Sequence, residues 1–279
     1  MLNKAIEAEN ANVTMQMPSP PLRPFVKRFV IVEFPFERKL TLLPTSSFLA
    51  EFRFKGENTL NDGLKLPRAM ISGLWDTPRT RIYMGGSRIL LTMFTEIGAI
   101  AFLRNSLDKF FNATIAMEEV LGRAQELDLI EEQLAESEDH GKQIQIIESF
   151  LLEHLWNTGL DPIVFNAVAR MEQTTATIRI EELAQGMGLS QSALERRFRR
   201  NVGTSPKRFL SILRFNNAIR LRNRGQDFTS IAHSTGYSDQ SHFINEFKRI
   251  MGLAPSNFFQ QSTICRNAEF LQVAFTSNS

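Results

Sequence analysis

Apolar residues recur at helical spacing throughout the C-terminal part of the chain. Several of the segments open on proline or serine and several close before glycine, which are typical helix start and stop signals. Seven helices are predicted, over residues 162–172, 180–187, 190–201, 206–223, 228–235, 239–251 and 255–261. This part is expected to be all α.

The pattern before residue 102 is that of strands. Aromatic and β-branched residues fill the runs FVKRFVIVEF, FLAEFRF, TRIYM and RILLTMF, with turn signals at residues 61–63 and 85–86. Because two-residue turns with positive φ join antiparallel strands, the Gly85 and Gly86 pair predicts a hairpin between TRIYM and SRILL. This part is expected to be antiparallel sheet.

Helical spacing returns after residue 99 and is clearest in IQIIESFLLEHL. Four residues form its apolar stripe, Ile144, Ile147, Leu151 and Leu155. Such a stripe packs either in the core of its own chain or in a dimer seam, so these four are the dimerisation candidates.

Turn-forming residues divide the chain into segments. Asn, Gly, Asp and Pro cluster at residues 157–163, which predicts a domain boundary near Gly159. The first residues lack periodicity and end in MPSPP, which is typical of a flexible arm. The expected segments are an arm (1–21), a β-rich domain (22–158), a helical domain (160–261) and a C-terminal tail (262–279).

Composition narrows the class of protein. Hydrophobic residues make up 43% and charged residues 22%, as in ordinary globular proteins. The single cysteine, Cys265, excludes an intrachain disulfide and a cysteine cluster for zinc. Glu7 and Glu9 lie where a secretory signal would need an apolar run. A cytoplasmic protein with no membrane contact, no cofactor and no metal is expected.

Charge is unevenly distributed along the chain. Residues 176–261 carry 13 Lys/Arg against 6 Asp/Glu, whereas residues 108–153 carry 12 acids and 3 bases. A basic segment of this kind indicates a polyanionic partner.

The basic segment contains an internal repeat. GLSQSALERRFRRNVGTSPKRF begins at Gly188, and GYSDQSHFINEFKRIMGLAPSNF begins at Gly236 with nearly the same punctuation. Each copy predicts a helix-turn-helix, with glycine in the turn and Ser190 or Ser238 as the N-cap of the second helix. The second copy has one extra residue, which is expected in the first turn of its second helix.

The second helix of each copy keeps one polar face. The outward residues are Gln191, Ser192, Glu195, Arg196, Arg199 and Arg200 in the first copy and Gln240, Ser241, His242, Asn245, Lys248 and Arg249 in the second. Gln and Asn can pair bidentately with adenine and Arg with guanine, while Lys and Arg neutralise phosphates. We therefore expect these side chains to contact double-stranded DNA.

The predicted helix between the copies has a length that suits this role. About 17 residues at 1.5 Å rise span roughly 25 Å, which with side-chain reach matches one turn of DNA, about 34 Å. Its apolar residues Phe209, Ile212, Leu213 and Ile219 should pack on both copies.

These paired motifs resemble the DNA-binding domain of the AraC/XylS family of bacterial transcription regulators over residues 160–260. The resemblance implies two helices in successive major-groove segments, with RNA polymerase, an effector and a second copy of the chain as further partners. Residues 21–29, Pro44, Gly73 and residues 91–103 loosely resemble the small cupin-type barrels that serve as sensor domains. The implied fold class is α+β, a β-rich barrel with helices followed by two helix-turn-helix units.

Two positions depart from the family pattern. Asn245 lies where a basic residue is common, and is expected to change base preference. Phe259 lies where an arginine usually follows the last aromatic residue, so one cation is missing.

Aromatic and arginine side chains gather around two predicted strands of the β-rich part. They are Trp75, Arg79, Arg81, Tyr83 and Arg88. Together they are effector-binding candidates for an anionic or planar molecule. The alternative is surface arginine on a sheet edge and a core tryptophan.

No catalysis is expected. Two alternatives stay open, a DNA-modifying or repair enzyme that uses the helical domain for targeting, and a regulator whose N-terminal domain binds only another protein. The first is disfavoured because Cys265 lies outside any cluster that would activate a thiolate.

Overall fold

A computed structural model describes residues 11–103, 106–156, 160–174, 177–264 and 273–276. Its strands are β1 (Asn12–Gln16), β2 (Val26–Phe34), β3 (Arg38–Leu42), β4 (Leu49–Lys55), β5 (Asn58–Leu60), β6 (Ala69–Ser72), β7 (Arg79–Tyr83), β8 (Ser87–Phe94), β9 (Thr114–Ala116), β10 (Ser262–Ile264) and β11 (Val273–Thr276). Its α-helices are α1 (Met117–Leu121), α2 (Ala124–Glu136), α3 (His140–His154), α4 (Pro162–Gln173), α5 (Ile180–Gly186), α6 (Gln191–Val202), α7 (Pro206–Asn223), α8 (Phe228–Ser234), α9 (Gln240–Met251) and α10 (Pro255–Gln261). Short 3-10 helices cover Pro20–Leu22, Ala99–Ala101 and Leu107–Phe110.

The strands form two antiparallel sheets whose inner faces share one apolar cluster. The sheet orders are β1-β2-β8-β4-β6-β9 and β10-β11-β3-β7-β5. Along β2, Val30 and Val32 pack toward the second sheet with Leu40, while Phe29 and Ile31 pack toward the helices. Because both faces of β2 are covered, its apolar run is nearly unbroken. The predicted α+β class is confirmed.

The predicted hairpin at Gly85 and Gly86 is wrong. Strand β7 pairs with β3 and β5 in one sheet, and β8 pairs with β2 and β4 in the other. Gly86 does have a positive φ of 83°. The glycines therefore allow a tight turn, but that turn carries the chain from one sheet to the other. Strand β8 is apolar on both faces and lies in the middle of the first sheet, between β2 and β4.

The predicted arm and tail are partly built into the sheets. Strand β1 pairs with β2 over its whole length, and the backbone nitrogen of Ser19 donates to Glu148 at 2.6 Å. Strand β11 pairs with β3. The prediction of a flexible arm is therefore wrong for Asn12–Gln16. Part of the predicted C-terminal tail forms β10 and β11. Residues 1–10 and Cys265 lie outside the described part.

The apolar stripe of α3 packs within its own chain. Ile144 and Ile147 are fully buried and Leu151 is 4% exposed, in the cluster that also contains Phe52 of β4. Leu155 follows the end of the helix and packs against the same cluster. The dimerisation prediction for these four residues is wrong, because the sheet already covers the stripe.

All seven helices predicted in the C-terminal part are present. The apolar core does not divide where the sequence predicted a boundary, since Leu107 shares one cluster with Leu194 and Phe198 of α6. A second cluster contains Phe215, Phe243 and Phe247. The predicted cut near Gly159 lies outside the described residues.

Candidate nucleic-acid interface

Helices α6 and α9 occupy equivalent places in the two repeats. Each has 12 residues, and each ends at a glycine in the left-handed conformation, Gly203 with φ 91° and Gly252 with φ 73°. Glycine takes this conformation without a Cβ penalty, so both helices stop at the same point. We call α5 with α6 unit 1, and α8 with α9 unit 2.

The N-caps of the two helices differ in residue type. Ser190 caps α6 by accepting from the backbone nitrogen of Ala193 at 3.2 Å. The cap of α9 is Asp239, whose carboxylate accepts from the backbone nitrogen of His242 at 2.7 Å. The Ser238 cap prediction is therefore wrong. The extra residue of the second copy lies in the turn before the cap, so α6 and α9 correspond at a constant offset of 49 residues.

The apolar sides of both helices pack on different halves of α7, an 18-residue helix. Phe198 meets Phe209 with ring centroids 5.3 Å apart, and Phe247 meets Phe215 at the same separation. Phe209 and Leu213 belong to the cluster of unit 1, while Ile219 belongs to that of unit 2. As predicted, one rigid helix contacts both units.

The polar sides of both helices face solvent. Of the twelve residues predicted to contact DNA, eleven are exposed and Glu195 is half-buried. The exposed residues are Gln191, Ser192, Arg196, Arg199 and Arg200 on α6 and Gln240, Ser241, His242, Asn245, Lys248 and Arg249 on α9.

The cations on these faces differ in how they are held. Arg199 pairs with Glu195 one turn earlier at 2.7 Å, and Arg249 approaches Glu246 at 3.4 Å. Arg196, Arg200 and Lys248 have no ion-pair partner within the described part of the chain. Such cations can bind phosphates without first breaking an ion pair.

Sequence analysis missed the residues that fasten the two helices. Arg197 pairs with Asp161, the N-cap of α4, at 2.8 Å. At the equivalent position of α9, Glu246 accepts from the Ser211 hydroxyl of α7 at 2.6 Å. The sequence does show that Arg197 and Glu246 have opposite charges at equivalent positions. That difference can be recognised only when the offset of 49 residues is known.

Phe259, which lies where the family pattern has an arginine, belongs to an aromatic cluster. The Phe259 ring lies 5.9 Å from that of Phe247 and 6.1 Å from that of Phe228. The Arg222 guanidinium lies 4.8 Å from the Phe228 ring and 5.8 Å from the Phe259 ring. A cation therefore lies beside this cluster, held on α7.

Three of the five effector candidates line one small cavity between the sheets. Trp75, Arg81 and Tyr83 enclose about 30 Å³ together with Glu51, Ser72 and apolar residues of β2, β3, β4 and β8. Arg81 is 4% exposed and donates to Glu51 at 2.6 Å, but its Nε has no partner. A buried N–H without an acceptor is costly, and a ligand acceptor would satisfy it.

The other two candidates lie outside this cavity. The Arg79 guanidinium lies 4.9 Å from the Trp75 ring, and burial lowers the pKa of Arg79 to about 10, so it stays charged at pH 7. Arg88 lies on the opposite face of β8 and pairs with Glu33 and Glu138. Arg88 therefore does not join Tyr83 at the cavity, because alternation along the strand turns it to the other face of the sheet.

Two features are absent from the described part of the chain. No group of three His, Cys, Asp or Glu side chains there is suited to hold a metal ion. No helix there is long and apolar enough to cross a membrane.

Comparison with known proteins finds a family model and several relatives that are similar to part of this chain. A family model described as a helix-turn-helix domain matches residues 183–261. A protein named as an AraC-like transcription regulator in Streptomyces lividans is 34% identical over 112 residues, which is 39% of this chain and 37% of that protein. The transcriptional activator RhaS of Pectobacterium carotovorum is 33% identical over 81 residues, 29% of each chain.

These matches cover only part of each protein. The chain matches little more than a third of the length of the first curated relatives. The solved structure of ToxT from Vibrio cholerae aligns over 90% of this chain and 97% of its own, but with 12% identity and a TM-score of 0.43 that likeness supports no argument. Within residues 183–261, this chain contains a helix-turn-helix domain of the AraC type.

Proposed function

We propose that this protein is a sequence-specific DNA-binding transcription regulator that reads two neighbouring major-groove segments with α6 and α9. The observation that carries the proposal is the pair of equivalent 12-residue helices with exposed polar faces, packed on different halves of α7. The relatives in Streptomyces lividans and Pectobacterium carotovorum are named as regulators, which supports it. In this proposal the protein works in the cytoplasm, with RNA polymerase and a second copy of the chain as further partners.

The roles of the side chains follow from their positions on the two helices. Residues near the N-terminal end read base edges, since that end enters the groove. Arg196 suits guanine, and Asn245, at the equivalent place, suits adenine. Toward the C-terminal end, Arg200 and Lys248 contact phosphates.

Selection from a random DNA pool tests this function. The full chain should enrich duplexes with two boxes whose centres lie about 10 base pairs apart on one face. A pool with no enrichment, or with a single short box, would contradict the two-helix proposal. The matched control variant is Arg123→Ala, which removes an exposed arginine of the N-terminal part, paired with Glu126, and should leave the enriched sequences unchanged.

We also infer that the cavity between the sheets binds a compact anionic effector. Arg81 supplies an unpaired N–H there, and Trp75 with Arg79 beside it closes the cavity. A volume of about 30 Å³ is close to that of one water molecule. Any larger ligand therefore requires the two sheets to separate, which is a change that can be transmitted to the rest of the chain.

Fluorescence of Trp75 tests the effector proposal. The sequence has two tryptophans, and Trp156 is 49% exposed, so Trp156→Phe leaves Trp75 as the sole reporter with little loss of packing. Titration with formate, acetate and benzoate should change its emission saturably, whereas chloride at equal ionic strength should not. Absence of a saturable change would favour a domain that binds only protein.

A further inference from the structure

Gln240 is the first residue of α9, and its side chain is held by a residue of the preceding helix. The Thr229 hydroxyl of α8 donates to Oε1 of Gln240 at 2.8 Å. This hydrogen bond joins the two helices of unit 2 at the end of α9 that enters the major groove in the proposed function. The orientation of the Gln240 amide is therefore set before DNA binds.

Thr229 is itself fixed in place by the first turn of α8. Asp227 caps that helix by accepting from the backbone nitrogen of Ser230 at 2.9 Å. The neighbouring Phe228 packs against Phe243 of α9, with ring centroids 5.9 Å apart. The capped turn and the ring contact hold the short Thr229 side chain at a constant position beside the start of α9.

Gln191, the equivalent glutamine of α6, is not held in this way. It is exposed, and its side chain makes no hydrogen bond within the described part of the chain. The first helices of the two units align with Ala184 opposite Ala232, 48 residues later, so the residue opposite Thr229 is Glu181. Glu181 lies on α5 and has no hydroxyl group. Two glutamines at equivalent positions therefore differ in whether a neighbouring hydroxyl fixes the amide.

The fixed amide limits the base edge that Gln240 can meet. Rotation of an unrestrained amide by 180° exchanges Oε1 and Nε2, so a free glutamine can present either an acceptor or a donor. With Oε1 turned to Thr229, the unpaired end of the Gln240 amide is Nε2, which only donates. Guanine, adenine and thymine each have an acceptor in the major groove, whereas cytosine has only its N4 donor. A held Gln240 is therefore mismatched to cytosine.

We propose that Thr229 is a positioning residue for base selection by unit 2. It holds Gln240 as a donor, so that cytosine is rejected at the base that Gln240 meets, while the free Gln191 of unit 1 accepts a wider set of bases. The inference rests on the proposed function of the two helices. Because both Thr229 and Gln240 are exposed, water competes with their hydrogen bond, and the expected discrimination is about two- to tenfold, the range of one net hydrogen bond.

Selection from a random DNA pool by the full chain and its variants tests this role. Gln240→Ala should relax selection at one base pair of the α9 box, which locates the base that Gln240 meets, and Gln191→Ala should do the same in the α6 box. Four duplexes that differ only at the Gln240 base pair then compete for binding. The wild type should discriminate against the duplex with cytosine facing Gln240, and Thr229→Val, which keeps the shape but removes the hydroxyl, should reduce that discrimination about two- to tenfold.

Thr229→Ser is the matched control, because it keeps a hydroxyl and should retain the wild-type order of the four duplexes. A merely structural role of Thr229 would weaken binding to all four duplexes equally. Such an equal loss, an unchanged order with Thr229→Val, or selection unaffected by Gln240→Ala would overturn the proposal. A wild-type chain that enriches no duplex with two boxes would count against the proposed function instead.

Discussion

Units 1 and 2 have the same plan of caps, turns and apolar positions, but their surroundings differ. The apolar cluster of unit 1 continues into the N-terminal domain through Leu107, whereas unit 2 has its own aromatic cluster around Phe247. The repeat therefore determines the fold of each unit, while residues outside the repeat determine which other parts of the chain share its apolar core. Unit 1 shares its core with the N-terminal part, whereas unit 2 meets that part through Leu43.

The largest expected effect is the loss of stability when one buried ring is removed from the core of each unit. Phe198→Ala and Phe247→Ala each remove a ring that is at most 1% exposed and should each cost about 3–5 kcal/mol of unfolding free energy. Urea unfolding should be followed by Trp75 fluorescence in a Trp156→Phe background and by the helical circular dichroism. Phe198→Ala should shift both signals, and Phe247→Ala the helical signal alone. Equal shifts of the Trp75 signal in both variants would show that the units share one core.

A second experiment compares the two reading faces. Arg196→Ala should weaken binding by about 1–3 kcal/mol at one box, and Asn245→Ala should relax selection at the other. Competition between duplexes with single-box substitutions measures this, with Arg123→Ala as the control. An equal loss on every sequence would make Arg196 a phosphate contact.

A smaller effect is expected on the salt dependence of DNA affinity when the cations at two equivalent positions are removed. Lys248→Ala should lower the slope of log affinity against log salt by about one. Arg199→Ala should lower it less, because Arg199 is already paired with Glu195 at 2.7 Å. Titrations at several salt concentrations give both slopes, and an unchanged slope for Lys248→Ala would remove it from the phosphate contacts.

The smallest effect distinguishes the caps of the two helices by pH. The backbone nitrogen of His242, followed by the Ser238 hydroxyl, holds the pKa of Asp239 below its usual value. A lowered folded pKa means that the cap stabilises α9 above the unfolded pKa, about 3.9, and that this contribution is lost as pH falls through the folded value. Ser190 does not titrate, so first-turn amides of α9 should lose protection in acid before those of α6. Asp239→Asn keeps a capping oxygen and should abolish the difference; if the difference persists, the cap is not its cause.

The helices were predictable because their ends are determined locally. Pro162 and Pro206 open α4 and α7, and left-handed Gly203 and Gly252 close α6 and α9. These are properties of a few consecutive residues, which the sequence displays directly. The Ser238 error had the same origin, since Ser238 and Asp239 are adjacent, both are good caps, and Asp239 is the one that caps α9.

Contacts between distant segments were not predictable in the same way. The turn at Gly86 has the expected φ, yet local chemistry does not specify which sheet receives the next strand. The stripe of Ile144 and Ile147 looks the same whether a sheet or a second chain covers it. Among the candidate site residues, the exposed faces of α6 and α9 follow from helical periodicity, but the approach of Leu107 to Gly203 depends on the whole fold.

Hydroxyl-radical footprinting on an enriched duplex tests most directly the central claim that α6 and α9 read adjacent grooves. The wild-type protein should protect two patches on one face of the duplex, about 10 base pairs apart; Arg196→Ala should weaken one patch and Asn245→Ala the other. A single patch that both variants weaken together would contradict the account.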